Sequence, residues 1–204
     1  MNLFEYQGKR LYQDFSIPTP KSIFVSSISE ITDNHGLTYP VVVKAQVQVG
    51  GRGKAGGIKV AKDFDELTKF SDEILGMDIK GHIVQSLLLE EASDILEEYY
   101  ISFTLDRSAK SYLMMLSAKG GMDIEEVAEK NPDDLIMLHI SPSKGLDSET
   151  IIKSIEDAKL NESYKAELSD VISNLYKLLV EGDCDFVEVN PLAITDNGVS
   201  ALDS

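Results

Sequence analysis

The spacing of apolar residues along the chain alternates between a period of two and a period near 3.6, which predicts short strands mixed with amphipathic helices. Strands are predicted where apolar, β-branched runs are bounded by Pro, Gly or acidic residues, over residues 23–25, 40–47, 58–61, 82–89, 99–105, 111–116, 186–195 and 199–203. Helices are predicted where apolar residues share one side, over residues 2–15, 29–36, 63–75, 124–128, 148–160 and 162–180. Hairpins among these strands favour an α+β fold over a doubly wound parallel sheet.

The last two predicted strands form a hairpin whose turn sets which side chains are neighbours. If Asn197-Gly198 is a two-residue turn, Leu192 pairs with Asp203. Asp203 then lies on the same face as Asn190, one diagonal step away, at a Cβ separation of about 7 Å or less. The last strand stops directly after Asp203, and we therefore expect the chain to be part of a larger protein.

Oxygen ligands on this hairpin suit a magnesium ion. Glu188 and Asn190 share one face because side chains alternate along a strand. An amide and a carboxylate, without His or Cys, are the ligands that Mg²⁺ uses when it bridges phosphates. An ordinary edge hairpin with polar residues toward solvent fits the spacing equally well.

Composition and charge narrow the range of partners. The 204 residues are 43% hydrophobic and 26% charged, with 19 basic and 35 acidic residues and a formal net charge of −16. A surface of that sign repels nucleic acid and anionic membranes, so any bound phosphate needs a local pocket of amide N–H groups, Lys and Arg. The single cysteine, Cys184, the absence of a targeting segment and the absence of a long apolar run favour a cytoplasmic protein.

A glycine-rich segment, residues 50–57, is the strongest candidate for phosphate contact. Five of its eight residues are glycine, which lets amide N–H groups turn toward one point and lets the backbone approach a phosphate closely. Arg52 and Lys54 add positive charge, and Lys44 lies on the preceding strand. A flexible surface turn is the alternative interpretation.

Known glycine motifs do not fit this segment. Gly51-x-Gly53-x-x-Gly56 matches a dinucleotide fingerprint, but a strand follows where that fingerprint requires a helix. Lys54 is followed by Ala55 where a Walker P-loop needs Ser or Thr. No protein-kinase catalytic segment follows either. The pattern that remains is a phosphate lid on an antiparallel sheet.

The acidic stretch over residues 90–98 follows an apolar strand. Most of its carboxylates are best interpreted as a solvated loop. A nucleotide site nevertheless needs a backbone edge for the base and a carboxylate for the ribose hydroxyls. Glu90 at the end of the strand and Glu98 further on are the candidates.

Taken together, these segments resemble the succinyl-CoA synthetase β subunits, which are members of the ATP-grasp family. The resemblance rests on five motifs that occur in the family's order over essentially the whole chain: MNLFEYQ at residues 1–7, VKAQ at 43–46, GGRGKAGG at 50–57, DRS at 106–108 and EVNPL at 188–192.

The resemblance implies an ATP-grasp fold over residues 1–204, with two subdomains of antiparallel sheets flanked by helices. One covers about residues 21–93, and the other covers about 1–20 plus 94–204. It also implies the following site residues: Lys44 on the ATP phosphates, Gly51, Arg52 and Gly53 in the phosphate loop, Glu90, Ser93 and Glu98 beside the adenosine, and Asn190 and Asp203 on Mg²⁺. Pro20 occupies a position where ATP-preferring members tend to have proline, so ATP is expected rather than GTP.

The activity that the resemblance implies is ATP + succinate + CoA ⇌ ADP + phosphate + succinyl-CoA. The chain would donate the γ-phosphoryl group to a histidine on a partner α subunit. Family β subunits continue with a flavodoxin-like CoA-ligase domain that this sequence lacks, so only the ATP half is expected here. A malate–CoA ligase β subunit and an isolated nucleotide-binding module without activity remain as alternatives.

Overall fold

Two antiparallel sheets organise the chain, each in its own compact unit. The computed structural model describes residues 2–204; Met1, which opens the N-terminal motif, lies outside them. The first unit contains the chain up to Gly8 and Pro20–Ser93, and the second contains Lys9–Thr19 and Asp94–Ser204. Residues 2–8 therefore group with the first unit, whereas the sequence-based division placed them in the second subdomain.

The first unit is built on a four-stranded sheet and a small hairpin. Its strands are β1 Ser22–Val25, β2 Val41–Ala45, β3 Ile58–Ala61, β4 Asp78–Ile79, β5 His82–Ile83 and β6 Leu87–Glu91. The large sheet has the order β1-β6-β2-β3, and β4 pairs with β5. Helix α1, Glu5–Asp14, begins in this unit, and helix α2, Phe64–Ile74, lies wholly within it.

The two faces of the large sheet differ in polarity because side chains alternate along each strand. On one face Val41 and Val43 are fully buried in an apolar cluster that includes Leu67 and Ile74 of α2. That helix begins where the Asp63 carboxylate accepts the Glu66 N–H at 2.9 Å, the hydrogen bond that an N-cap residue makes. The other face is left to carry polar groups.

The second unit is built on a five-stranded sheet covered by helices. Its strands are β7 Ile95–Asp106, β8 Ser111–Ser117, β9 Leu135–Ile140, β10 Phe186–Thr195 and β11 Gly198–Ala201, and its helices are α3 Ile124–Lys130, α4 Ser148–Asp157 and α5 Lys165–Glu181. The sheet order is β11-β10-β7-β8-β9, with every pair antiparallel. The predicted α+β class with antiparallel sheets is confirmed.

Helix α5 supplies the largest part of the second core. The apolar stripe predicted from its spacing is buried along its whole length, at Leu168, Val171, Ile172, Leu175, Leu178 and Leu179. These side chains pack with the inward face of the sheet, including Ile101 and Phe103 of β7. Burial of that stripe, rather than helix propensity alone, stabilises a helix of this length.

Two predicted elements differ from the structure, and one strand was not predicted. The helix expected over residues 29–36 is a single 3₁₀ turn, Ile28–Glu30, because the polar residues that follow form local bonds such as Leu37 N–H to His35 Nδ1. The strand expected over residues 82–89 is split into β5 and β6. Strand β9 was not predicted, and it depends on its pairing with β8.

Strand β7 also begins earlier than expected. It starts at Ile95, so Glu97 and Glu98 lie in the sheet and not in an acidic loop. Among the described residues, none of the helices is both long and apolar enough to cross a membrane.

Candidate functional site

Lys44 is the centre of a buried charge cluster in the first unit. It lies on the polar face of β2, where it is opposite Leu88 of β6. Its Nζ donates to Glu5 Oε1 at 3.0 Å and to Glu90 Oε1 at 2.6 Å. The ammonium group is therefore fixed between two carboxylates that come from a helix and from the neighbouring strand.

Arg52 joins the same cluster from the glycine-rich segment. Its Nη1 donates to Glu5 Oε2 at 2.5 Å and to the Ala45 carbonyl at 3.2 Å. The four charged residues, taken with their backbone, keep 2–9% of their surface exposed. Buried charges are tolerated only when they are paired, so this arrangement fixes two cations in a protein of net charge −16.

The glycine-rich segment is a folded turn. Three of its amides bond within the segment: Ala55 N–H to Gly51 O at 3.1 Å, Gly56 N–H to Gly53 O at 3.1 Å and Gly57 N–H to Arg52 O at 2.9 Å. Gly51 has a φ of +81°, which favours glycine at that position. The amides of Ala55, Gly56 and Gly57 are therefore already bonded within the segment.

The β4–β5 hairpin supports that turn, a role that the sequence did not indicate. Lys80 at its tip donates from Nζ to the Gly50 carbonyl at 2.8 Å. A Cβ on Gly57 would lie 2.6 Å from Ile79 Cδ1. The absence of a side chain at Gly57 therefore favours close packing between the hairpin and the loop.

In the second unit the predicted hairpin register is wrong. The two-residue turn is Asp196-Asn197, and Leu192 pairs with Ala201 rather than with Asp203. Thr195 determines this turn, because its Oγ1 accepts the Asn197 N–H at 3.2 Å and donates to the Gly198 carbonyl at 2.9 Å.

The corrected register still brings Asp203 near the other predicted ligand. Leu202 N–H donates to the Pro191 carbonyl at 3.1 Å, which extends the hairpin to the residue before Asp203. Burial raises the pKa of Glu188, and the nearby charge of Asp203 raises it further, while a hydrogen bond from Tyr100 opposes this. Carboxylates of the same sign therefore converge at this end of β10.

Asn190 is held by a loop that the sequence analysis did not connect with the site. Its Oδ1 accepts the Gly121 N–H at 2.8 Å, and its Nδ2 donates to the Met122 carbonyl at 2.9 Å. The Glu98 carbonyl accepts the Gly120 N–H at 3.0 Å. A Cβ on Gly121 would lie 2.7 Å from Glu98 Oε2. The structure thus brings Asn190 and Glu98 to the same glycine pair.

The side-chain oxygens on and beside the β10–β11 hairpin suit a hard cation. Asn190, Asp203 and the neighbouring Glu188 offer amide and carboxylate oxygens, the ligands that Mg²⁺ prefers. Within residues 2–204, no group of three His, Cys, Asp or Glu side chains is arranged to hold a metal alone. A cation bound here would therefore complete its coordination with water and with oxygens of a bound ligand.

The predicted site residues thus form two groups. In the first unit Lys44, Arg52 and Glu90 are in one cluster, whereas Ser93 is half-buried two residues beyond β6. Sequence reasoning missed Glu5, whose carboxylate contacts both cations, because nothing local distinguishes it from a surface glutamate. Glu188 could be found from the sequence, because the alternation of side chains along a strand places it on the same face as Asn190.

Sequence comparisons identify the domain. The family model for the ATP-grasp domain matches residues 2–194. The succinate–CoA ligase [ADP-forming] β subunit of Halobacterium salinarum is 41% identical over 206 residues, covering 100% of this chain and 54% of the relative. That of Natronomonas pharaonis is 42% identical over 198 residues, covering 97% and 52%. The chain spans about half the length of the curated relatives it matches.

Solved structures agree on the fold. ACD1 of Ca. Korarchaeum cryptofilum, in complex with coenzyme A, has a TM-score of 0.77 at 20% identity, covering 98% of this chain and 90% of that one. ATP citrate lyase of Methanothrix soehngenii has a TM-score of 0.73 at 23% identity, covering 98% and 49%. The TM-scores support the predicted ATP-grasp fold. At 20–23% identity, the likeness to these structures extends no further than the fold.

Proposed function

This chain belongs to the ATP-grasp family, and on that premise we propose that it binds Mg-ATP as the nucleotide-binding half of a succinate–CoA ligase β subunit. The curated relatives of that name support the assignment, since they align with the whole chain. They are about twice as long, so the complete reaction belongs to the larger protein.

The observation that carries the nucleotide part of the proposal is the pair of buried cations beside the glycine-rich segment. Lys44 and Arg52 are among 19 basic residues in a chain with 35 acidic ones, and both are largely shielded from water. Cations in such a low-dielectric setting interact more strongly with phosphate oxygens than they would at the surface. Their role is to stabilise the charge that a transferring phosphoryl group spreads over its oxygens.

Metal and nucleoside contacts are proposed for the remaining predicted residues. Asn190 and Asp203 would hold Mg²⁺, which when bound neutralises phosphate charge. Ser93 and Glu98 would border the adenosine. Glu90 was also expected beside the adenosine. Its carboxylate accepts a hydrogen bond from Lys44 at 2.6 Å, so we also assign it to holding that lysine.

The proposed reaction is ATP + succinate + CoA ⇌ ADP + phosphate + succinyl-CoA, with the γ-phosphoryl group passing to a histidine on a partner α subunit. Pro20 favours ATP over GTP, and the lone Cys184 suits a reducing cytoplasm. Malate in place of succinate is the alternative substrate, and assays with both acids on the reconstituted full-length protein would separate them. An isolated binding module would bind Mg-ATP but leave the α-subunit histidine unphosphorylated.

Calorimetric titration with Mg-ATP tests the nucleotide site directly. Lys44→Met keeps most of the side-chain volume but removes the charge, and we expect affinity to fall roughly 30-fold or more, as for truncation of other buried charged contacts. Lys59→Met is the matched control, because Lys59 lies on β3 of the same sheet in a more exposed ion pair with Glu73. Absence of Mg-ATP binding, or equal affinity in wild type and Lys44→Met, would refute the nucleotide-site proposal.

A further inference from the structure

Glu5 contacts both cations of the first unit's charge cluster. Its two carboxylate oxygens are divided between them, with Oε1 on Lys44 Nζ at 3.0 Å and Oε2 on Arg52 Nη1 at 2.5 Å. Its own side chain is almost fully buried, with 1% of its surface exposed. We propose that Glu5 is a positioning residue that sets the spacing of the two phosphate-binding cations, an inference that rests on the proposed function.

Neutralisation alone does not require this arrangement. Glu90 already provides Lys44 with a carboxylate at 2.6 Å, so Glu5 would be free to neutralise Arg52 by itself. Instead Glu5 makes a second contact, and that contact links the cation of strand β2 to the cation of the glycine-rich segment. A single rigid carboxylate fixes the distance and angle between two donors in a way that two separate ion pairs do not.

Gln46 reinforces the placement of Glu5. Its Oε1 accepts the Tyr6 N–H at 3.0 Å, and its Nε2 lies 3.4 Å from Glu5 Oε2. The first turn of α1 is thereby tied to the end of β2 through backbone as well as side-chain contacts. The carboxylate consequently enters the cluster from a fixed direction.

The free-energy cost of burying the four charged side chains also favours a positioning role. Desolvation of four charged side chains is expensive, and apolar residues of similar volume often stabilise a fold equally well. A cluster kept for stability alone would therefore gain little from its charges. A cluster kept to hold two cations ready for phosphate oxygens gains the preorganisation on which electrostatic catalysis depends.

Placement and charge can be separated by two substitutions. Glu5→Gln preserves the shape of the side chain but presents an N–H₂ group to one of the two cations. Glu5→Asp preserves the charge, but it is one methylene shorter and cannot keep both oxygens in contact. If placement matters, both variants lose affinity for Mg-ATP; if charge alone matters, only Glu5→Gln does.

The experiment is calorimetric titration of Mg-ATP into the wild-type chain and three variants, each checked for folding by circular dichroism and thermal midpoint. We expect Glu5→Gln and Glu5→Asp to weaken binding about tenfold or more, the scale on which small displacements of charged contacts act. Glu73→Gln, which removes a carboxylate from the Lys59 pair in the same unit, should stay within about twofold, because exposed pairs contribute little.

The outcomes distinguish the positioning role of Glu5 from the proposed function on which it rests. No binding by the wild type refutes the proposed function itself. Wild-type binding that Glu5→Gln or Glu5→Asp retains in full overturns the positioning role alone. If Glu5→Gln does not fold, Glu5→Asp decides, because it keeps the buried charge. If neither variant folds, Glu5 serves stability only and the inference is wrong.

Discussion

The two units hold their candidate site residues by opposite means. In the first unit, buried groups of opposite sign lie 2.5–3.0 Å apart, and Lys44 and Arg52 share the carboxylate of Glu5. In the second unit, Asn190 is fixed by neutral hydrogen bonds to the backbone of Gly121 and Met122. Burial raises the pKa of the neighbouring Glu188, and the carboxylates of Asp203 and Glu125 raise it further.

This difference indicates what each region is prepared to bind. In the proposed function, Lys44 and Arg52 contact phosphate oxygens while Glu5 keeps its bonds to both cations. Converging carboxylates in the second unit gain most from an added cation. The first region should therefore be sensitive to loss of charge, and the second to loss of backbone geometry and of oxygen ligands.

The largest expected effect tests geometry in the second unit. In Gly120→Ala, the new Cβ would lie 2.5 Å from the carbonyl carbon and from the amide nitrogen of Tyr99, and strand backbone cannot move aside as a side chain can. We expect the free energy of unfolding to fall by about 3 kcal/mol, the upper end for overpacking. Urea unfolding followed by circular dichroism measures this change.

Two Gly→Ala substitutions in the first unit serve as controls, with successively smaller expected losses of stability. In Gly57→Ala the nearest atom is the end of the flexible Ile79 side chain at 2.6 Å, and we expect a loss of about 1–2 kcal/mol. Gly53→Ala meets only Ile58 Cδ1 at 3.9 Å, an ordinary contact, and should change stability by less than about 0.5 kcal/mol. If Gly120→Ala were as mild as Gly53→Ala, backbone packing would not be what holds the second region.

The next effect concerns the carboxylates. In Asp203→Asn one proposed Mg²⁺ ligand becomes a neutral amide, and we expect the gain in ATP affinity on adding Mg²⁺ to shrink about tenfold, or about 1.4 kcal/mol. Titrations of ATP with and without Mg²⁺ measure that gain. ATP affinity without metal should change much less.

Asp196→Asn is the matched control, because it makes the same charge change in the turn of the same hairpin. Its effect on the Mg²⁺-dependent gain should be negligible. Equal losses in Asp203→Asn and Asp196→Asn would mean that overall charge, and not a ligand at Asp203, produces the dependence.

Local patterns predicted the elements that depend on local sequence. The buried stripe of α5, the Asp63 cap and the folded glycine-rich segment all follow from residues close together in the chain. The resemblance then supplied Lys44 and Arg52 as phosphate-binding candidates. Both lie in the cluster that the structure shows.

The rest depends on contacts between distant residues. Glu5 and Lys44 are 39 positions apart, and Asn190 and Gly121 are 69 apart, so no window along the sequence contains either pair. The predicted hairpin register was wrong because of local hydrogen bonds in the turn. The Thr195 hydroxyl closes the turn one residue earlier than expected, and this moves the partner of Leu192 by two residues, from Asp203 to Ala201.

The smallest effect tests whether neutral hydrogen bonds stabilise a carboxylate in the second unit as cations do in the first. Glu97 accepts bonds from the Tyr99 hydroxyl at 2.6 Å and from Asn161 Nδ2 at 2.5 Å. The Tyr99 bond lowers the pKa of Glu97 most, the Asn161 bond adds to this, and burial opposes both. A carboxyl group whose pKa is lowered by folding stabilises the fold above its ordinary pKa of 4.5, and this contribution is lost as the pH falls through the lowered value.

Glu97→Gln should therefore be less stable than wild type at pH 7, by less than about 1 kcal/mol because the group is partly solvated. The difference should narrow as the pH falls below 4.5, which urea unfolding at a series of pH values measures. Tyr99→Phe removes the main donor but keeps the ring, and it should flatten the same pH dependence. A difference between wild type and Glu97→Gln that stays constant with pH would show that the neutral donors Tyr99 and Asn161 do not stabilise the ionised form of Glu97.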